Sequence, residues 1–98
     1  MYRQGDILII KGEASENTLH ECRLEENNIV TEGSITGHHH VIKNGKVYRK
    51  RRDWNGCIGY ILAFKDCQLV HDEHATIELP EGEYKIIKQR EVTGDVED

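Results

Sequence analysis

The sequence has no run of apolar residues near the roughly 18 to 20 that a membrane-spanning helix needs. Its first residues, 1–6, also lack the long apolar segment of a secretory signal peptide. The three cysteines form no Cys-x-x-Cys pair, which argues against a disulfide framework and a four-cysteine zinc site. We therefore expect a cytoplasmic protein with reduced thiols, without membrane contact. Cys57 and Cys67 border apolar strands and are expected to be small buried residues.

Helical periodicity of useful length is missing too, and there is a single proline. Runs of Ile, Val, Tyr and Thr are instead separated by turn residues, which is typical of antiparallel strands. The 98 residues predict one all-β domain over 1–92, a small antiparallel barrel or sandwich of about seven or eight short strands. A short acidic tail, 93–98, follows it. The expected strands are 6–11, 28–32, 39–43, 46–50, 57–64, 67–71, 75–79 and 83–91, with a weak strand or loop near 19–24.

Three turn signals and one further connection, 52–56, separate these strands. Asn44-Gly45 is typical of a two-residue hairpin turn, because both residues accept positive φ angles. Lys65-Asp66 and Pro80-Glu81-Gly82 are the other expected turns. By the alternation of a strand, Tyr60, Leu62 and Phe64 share one face, which we expect to be core.

The net charge is −5, and positive charge is concentrated in one segment, 43–52. Nucleic-acid-binding proteins usually present a basic domain or a wide basic face, so nucleic acid is not the expected partner. The basic island is a candidate partner-binding surface, and its residues are Arg49, Lys50, Arg51, Arg52 and Trp54. The alternative is a solvated hairpin edge, where Lys and Arg discourage strand-to-strand aggregation. We expect self-association as a homo-oligomer, or a protein partner.

Five of the six histidines fall in two clusters, 38–40 and 71–74. Side chains two apart on a strand share a face, so His38 and His40 can converge on one ion. His71 and His74 are candidates for the third and fourth ligands. Imidazole ligands favour a transition metal such as zinc, iron or nickel. The alternative is that these histidines are surface or hydrogen-bonding residues. Glu73 would act as a general base only in a metalloenzyme.

The segment 33–40, with Gly33 before His38-x-His40, resembles the first metal motif of cupins, although no Glu follows it. A longer resemblance rests on Tyr2-Arg3-Gln4-Gly5-Asp6, Gly37-His38-His39-His40, His71-Asp72-Glu73-His74, Leu79-Pro80-Glu81-Gly82-Glu83-Tyr84 and Gln89-Arg90-Glu91. With these motifs the chain resembles a poorly characterised set of small bacterial and phage-encoded proteins. That resemblance implies a similar β fold and a phage or prophage link, and it supplies no reaction.

The sequence therefore favours a non-enzymatic binding or accessory protein with a histidine transition-metal site. Two other functions stay open. One is a metal-free protein-interaction or host-inhibitor protein, and the other is a cupin-like metalloenzyme.

Overall fold

A computed structural model describes residues 1–13, 16–30, 39–54 and 56–88. The elements are β1 (Tyr2–Gln4), β2 (Ile7–Lys11), α1 (Glu16–His20), β3 (Cys22–Glu25), β4 (Val41–Trp54), β5 (Cys57–Val70), β6 (Ile77–Leu79) and β7 (Gly82–Lys88). None of the helices in this part of the chain is long and apolar enough to cross a membrane. The tail 93–98 lies outside the described residues.

The seven strands form one antiparallel sheet in the order β1-β2-β7-β5-β4-β3, and β6 pairs with the far end of β5. This confirms the all-β prediction. The two long strands, β4 and β5, form the centre, with β7 on the other side of β5. The sheet curves so that β1 at its edge reaches the end of β5, where the Gln4 side chain donates a hydrogen bond to the Leu69 carbonyl.

The prediction of a hairpin at Asn44-Gly45 is wrong. Strand β4 runs without a break from Val41 to Trp54, and the hairpin that reverses the chain lies between Trp54 and Cys57. Asn44 does adopt a positive φ of 61°, but it does so at a β-bulge, where the register with β5 shifts. A left-handed residue in a strand bends the strand instead of ending it when pairing continues on both sides.

The predicted turn at Lys65-Asp66 is a bulge for the same reason. Strand β5 continues through it, and Asp66 has a φ of 61° opposite Asn44. The Asn44 side-chain amide donates to the Asp66 carbonyl at 3.0 Å, which joins the two strands within this one irregularity. The far end of the β4–β5 pair, which carries His40 and His71, lies beyond this irregularity and contacts β1 through Gln4.

Two further expectations need correction. The segment near 19–24 contains a short helix, α1, before strand β3 begins at Cys22. The predicted strand 28–32 is reduced in its described part to one bridge, between Ile29 and Val41. The turn at Pro80-Glu81 is confirmed, since β6 ends at Leu79 and β7 begins at Gly82.

The core lies on the inner face of the sheet, and alternation in β5 places Ile61 and Ala63 there, both at most 2% exposed. The prediction that Tyr60, Leu62 and Phe64 are core is therefore wrong: they point to the other face, and Phe64 is 41% exposed. Cys57 and Cys67 are buried, as expected, and Cys67 is 1% exposed. Burial accordingly raises the pKa of the Cys67 thiol.

Candidate functional site

Three histidine rings meet where β1, β4 and β5 come together. His40 directly precedes β4, His71 directly follows β5, and His74 lies in the loop that leads to β6. The centroids of the His40 and His71 rings are 4.4 Å apart, and those of His71 and His74 are 4.5 Å apart. The His40 and His74 centroids are separated by 6.1 Å. The structure thus brings three of the four predicted ligands together from two distant parts of the sequence.

His40 forms the floor of this cluster and has a fixed tautomer. Its side chain is 5% exposed, and its Nδ1 lies 2.8 Å from Oε1 of Gln4. The Gln4 amide nitrogen donates to the carbonyls of Leu69 and Ala75, at 3.1 and 2.8 Å, which identifies the other amide atom as the oxygen. His40 Nδ1 must therefore carry the proton and donate it, leaving Nε2 with a lone pair.

Burial of its ring, together with the neighbouring His71, lowers the pKa of His40 to about 4, although Asp6 acts in the opposite direction. His40 is therefore neutral at physiological pH. Its Nε2 lies 3.6 Å from Oδ1 of Asp6. At that pH two electron-rich atoms face each other there with no proton between them.

His71 is held in the opposite tautomer. Its Nδ1 accepts a hydrogen bond from the backbone N–H of Glu73 at 3.0 Å, so in the neutral ring the proton is on Nε2. Oδ1 of Asp72 is 3.4 Å from the same Nδ1. The side chain of His71 is only 6% exposed. The ring therefore has two possible Nδ1 partners, a donor and a carboxylate.

The β1–β2 turn packs directly against the rings. Gly5 has a positive φ of 61°, and a Cβ atom there would lie 2.9 Å from Nε2 of His74 and 3.4 Å from Cε1 of His40. Both the dihedral and the space require glycine. The next residue, Asp6, has a half-exposed side chain, and His74 is exposed, so the cluster has a buried floor and an open side.

The distances between the rings fit a shared metal ion, but the orientations of the rings do not. Two imidazoles on one tetrahedral zinc, each with a Zn–N bond of about 2.0 Å, have centroids roughly 5 Å apart. The His40 and His74 rings, however, stack at an interplanar angle of 8°. Within the described ranges, no group of three His, Cys, Asp or Glu side chains is arranged to hold a metal ion as it stands. Metal binding therefore requires a ring to rotate, and His74 is the exposed one of the three.

His38 and Glu73 are the remaining predicted site residues. His38 lies outside the described residues. Glu73 is exposed in the loop, where its backbone N–H orients His71. His39, next to His40, has a buried Nδ1 with no hydrogen-bond partner among the described residues.

The basic island divides into separate environments. Arg49 is part of the fold: its Nε donates to Glu25 at 2.6 Å, and one terminal nitrogen donates to the carbonyls of Ile29 and Val30. The hydrogen bond from Arg49 lowers the pKa of Glu25. Lys50 and Arg51 border an open cleft of about 510 Å³ next to α1. The side chains of Arg52 and Trp54 lie outside the described residues.

Sequence reasoning did not select Gln4, Gly5 and Asp6 as site residues. They are more than thirty positions from either histidine cluster. One signal was available. The segment Gln4-Gly5-Asp6 belongs to the same set of motifs as both histidine clusters, which is expected if the three segments form one site.

Comparison with known proteins gives a family without an assigned activity. No curated protein and no solved structure matches the chain. One family model, described as a domain of unknown function (DUF8820), matches residues 3–89, which include all of the residues that form the histidine cluster. The chain therefore belongs to the DUF8820 family.

Proposed function

We propose that the protein binds one transition-metal ion, as a binding or accessory protein and not as an enzyme. The ligands would be Nε2 of His40 and the ring of His74, completed by His71 and the carboxylate of Asp6. The observation that carries the proposal is the tautomer of His40. A buried neutral imidazole donates Nδ1–H to Gln4 and directs an unprotonated Nε2 toward a carboxylate 3.6 Å away.

In this arrangement His40 would be the metal ligand, and Gln4 would be the residue that orients it. Histidines that bind metals almost always donate the other ring N–H to a carbonyl or carboxylate, which fixes the ring and its tautomer. Gln4 supplies that acceptor for His40. A cation between Nε2 and the Asp6 carboxylate would also remove the repulsion between their lone pairs.

The His71 ring can join the same ion through a change of partner. In the present arrangement its Nδ1 accepts the Glu73 N–H. If the proton moves to Nδ1, that atom donates to the Asp72 carboxylate, 3.4 Å away, and Nε2 becomes available. A carboxylate, a histidine and a metal in this order form a common second-shell arrangement.

The donor set also indicates the class of metal. Three imidazoles and one carboxylate suit zinc, iron or nickel, and they do not suit calcium or magnesium, which prefer oxygen ligands. The open side at Asp6 and His74 gives a route for the ion.

Isothermal titration of untagged, chelator-stripped protein with Zn²⁺ tests this proposal. We expect about one ion per chain, and His74→Ala should weaken binding at least tenfold or so, as loss of a ligand does. His74 is exposed, so its removal should leave the fold intact.

The matched control is His20→Ala. His20 is exposed at the end of α1, away from the three-ring cluster, and its loss should not change zinc binding. Equal binding by wild type and His74→Ala, or an equal loss in His20→Ala, would contradict the proposal.

A further inference from the structure

The outer face of the sheet is apolar and aromatic, although it lies opposite the core. Cross-strand partners form a row over five strands: Leu24, Tyr48, Tyr60, Lys85 and Ile10. Leu62 and Phe64 extend it along β5, and the exposed fractions of Leu24 and Phe64 are 45% and 41%. The solvent face of an antiparallel sheet is normally polar, so an exposed apolar patch there indicates a binding surface.

The charges on this face have one predominant sign. Lys46 and Lys50 lie two residues before and after Tyr48, and so on the same face of β4. Lys85 lies directly opposite Tyr60. The described carboxylates on the strands of this face are Glu83, opposite Leu62, and Glu78, which lies opposite Gln68 at the far end of β5. The face thus combines two paired tyrosines with three lysines.

That charge pattern argues against a second copy of the chain as the occupant. A two-fold interface brings each patch against itself. The lysine-rich centres of two copies, with Lys46, Lys50 and Lys85, would then come together, and Glu83 is the carboxylate next to them in each copy. An occupant with negative charges and flat apolar groups fits better, because it can neutralise the lysines and pack against the rings.

We propose that this outer face binds single-stranded nucleic acid. Binding of single strands without sequence preference combines aromatic side chains, on which bases stack, with a positive surface that follows the phosphates. Tyr48 and Tyr60 supply the stacking surface in the centre, and the three lysines supply the charge around it. The histidine cluster takes no part.

Counted over the whole chain, the net charge of −5 argues against a nucleic-acid partner. Affinity for phosphates depends on the cations near the contact, since charges farther away than a Debye length are screened. The structure collects Lys46, Lys50 and Lys85 around two tyrosines, and no count over the whole chain reveals that grouping.

The test is fluorescence anisotropy with a labelled oligothymidine, in chelator so that the histidine cluster holds no metal. We expect binding that weakens with salt. The slope of log K against log salt concentration should be about −2, as three lysines imply for a single strand. Tyr48→Leu keeps an apolar side chain but removes the ring, and it should weaken binding at least about fivefold. Lys46→Gln should weaken binding and reduce the salt slope by roughly 0.7.

Lys11→Gln is the matched control, because Lys11 is exposed but lies on β2 in alternation with Ile7 and Ile9, which face the core. It should bind as the wild type does. Melting curves establish that each variant is folded.

Several results would overturn the proposal. They are no binding at low salt, equal loss of binding in Lys11→Gln, and equal affinity for an oligoglutamate of the same charge. A further one is a dimer in sedimentation that Phe64→Lys converts to monomer, since the face would then be covered by a second copy.

Discussion

Gln4 and His40, 36 residues apart in the sequence, are joined by a buried hydrogen bond of 2.8 Å between Oε1 and Nδ1. Gln4 is 2% exposed, and its amide group also donates to the Leu69 and Ala75 carbonyls at the two ends of the loop that carries His71 and His74. One side chain therefore sets the tautomer of the first histidine and the position of the other two.

Replacing Gln4 with Glu should separate these two tasks. A carboxylate still accepts from His40 Nδ1, but it cannot donate to Leu69 and Ala75. We expect zinc affinity to fall by about 10- to 100-fold, as for other residues that support metal ligands. Zinc titration measures the affinity, and ¹⁵N NMR of the His40 ring reports the tautomer. Unchanged affinity together with an altered tautomer would show that Gln4 has no part in metal binding.

Gly5→Ala should destabilise the protein. The added Cβ would lie 2.9 Å from Nε2 of His74, and the residue would have to keep a φ of 61°. A left-handed residue other than glycine costs roughly 1–2 kcal/mol before any steric overlap. Urea unfolding measures the loss.

Gly12→Ala is the control for this substitution. Its Cβ would meet only the flexible side chain of Lys85, at 3.2 Å, and it should change the free energy of unfolding little. If both variants lose the same stability, neither the positive φ nor the rings restrict Gly5.

The stability of metal-free protein should fall in acid because of His40. Its pKa is about 4 in the folded state and 6.5 in the unfolded chain, so between these values the unfolded state binds the extra proton. The free energy of unfolding is therefore highest above pH 6.5. It falls as the pH drops toward 4, by roughly 3 kcal/mol in total.

Urea unfolding at several pH values, in chelator, measures this dependence. His40→Gln removes the titrating group, so the variant should show a smaller loss of stability between pH 7 and pH 4.5 than wild type. Identical pH dependence in both proteins would contradict a buried neutral His40.

The two faces of β5 should respond differently to truncation. Ile61→Ala removes a side chain that is 1% exposed and should cost about 2–5 kcal/mol. Phe64→Ala removes a larger side chain that is 41% exposed and should cost less than about 1 kcal/mol. Chemical denaturation of both variants measures the two losses of unfolding free energy. A larger loss for Phe64→Ala would contradict the assignment of the core to the face of β5 that carries Ile61.

The all-β class was predictable because alternating apolar residues and turn residues are local signals. The connections between the strands were harder to predict from the sequence. Asn44 and Asp66 have the positive φ angles that turn residues favour, but the two lie opposite each other in paired strands, where they form bulges. Whether such a residue ends a strand depends on a partner that is distant in sequence.

The site was predictable in the same partial way. Imidazoles in two clusters indicated His40, His71 and His74, and the fold brings their rings within 4.4–6.1 Å. Gln4 and Asp6 gave no chemical signal of their own. Their contribution depends on the curvature that brings β1 to the end of β5, which is a long-range property of the sheet.

Metal content is the most direct test of the central claim. Untagged protein, purified without a metal column and then equilibrated with zinc and dialysed, should contain about one zinc per chain by elemental analysis. His40→Gln with His74→Ala should contain almost none. A wild-type protein without zinc after equilibration would contradict the proposal and leave the three rings as a hydrogen-bonding cluster at the end of the sheet.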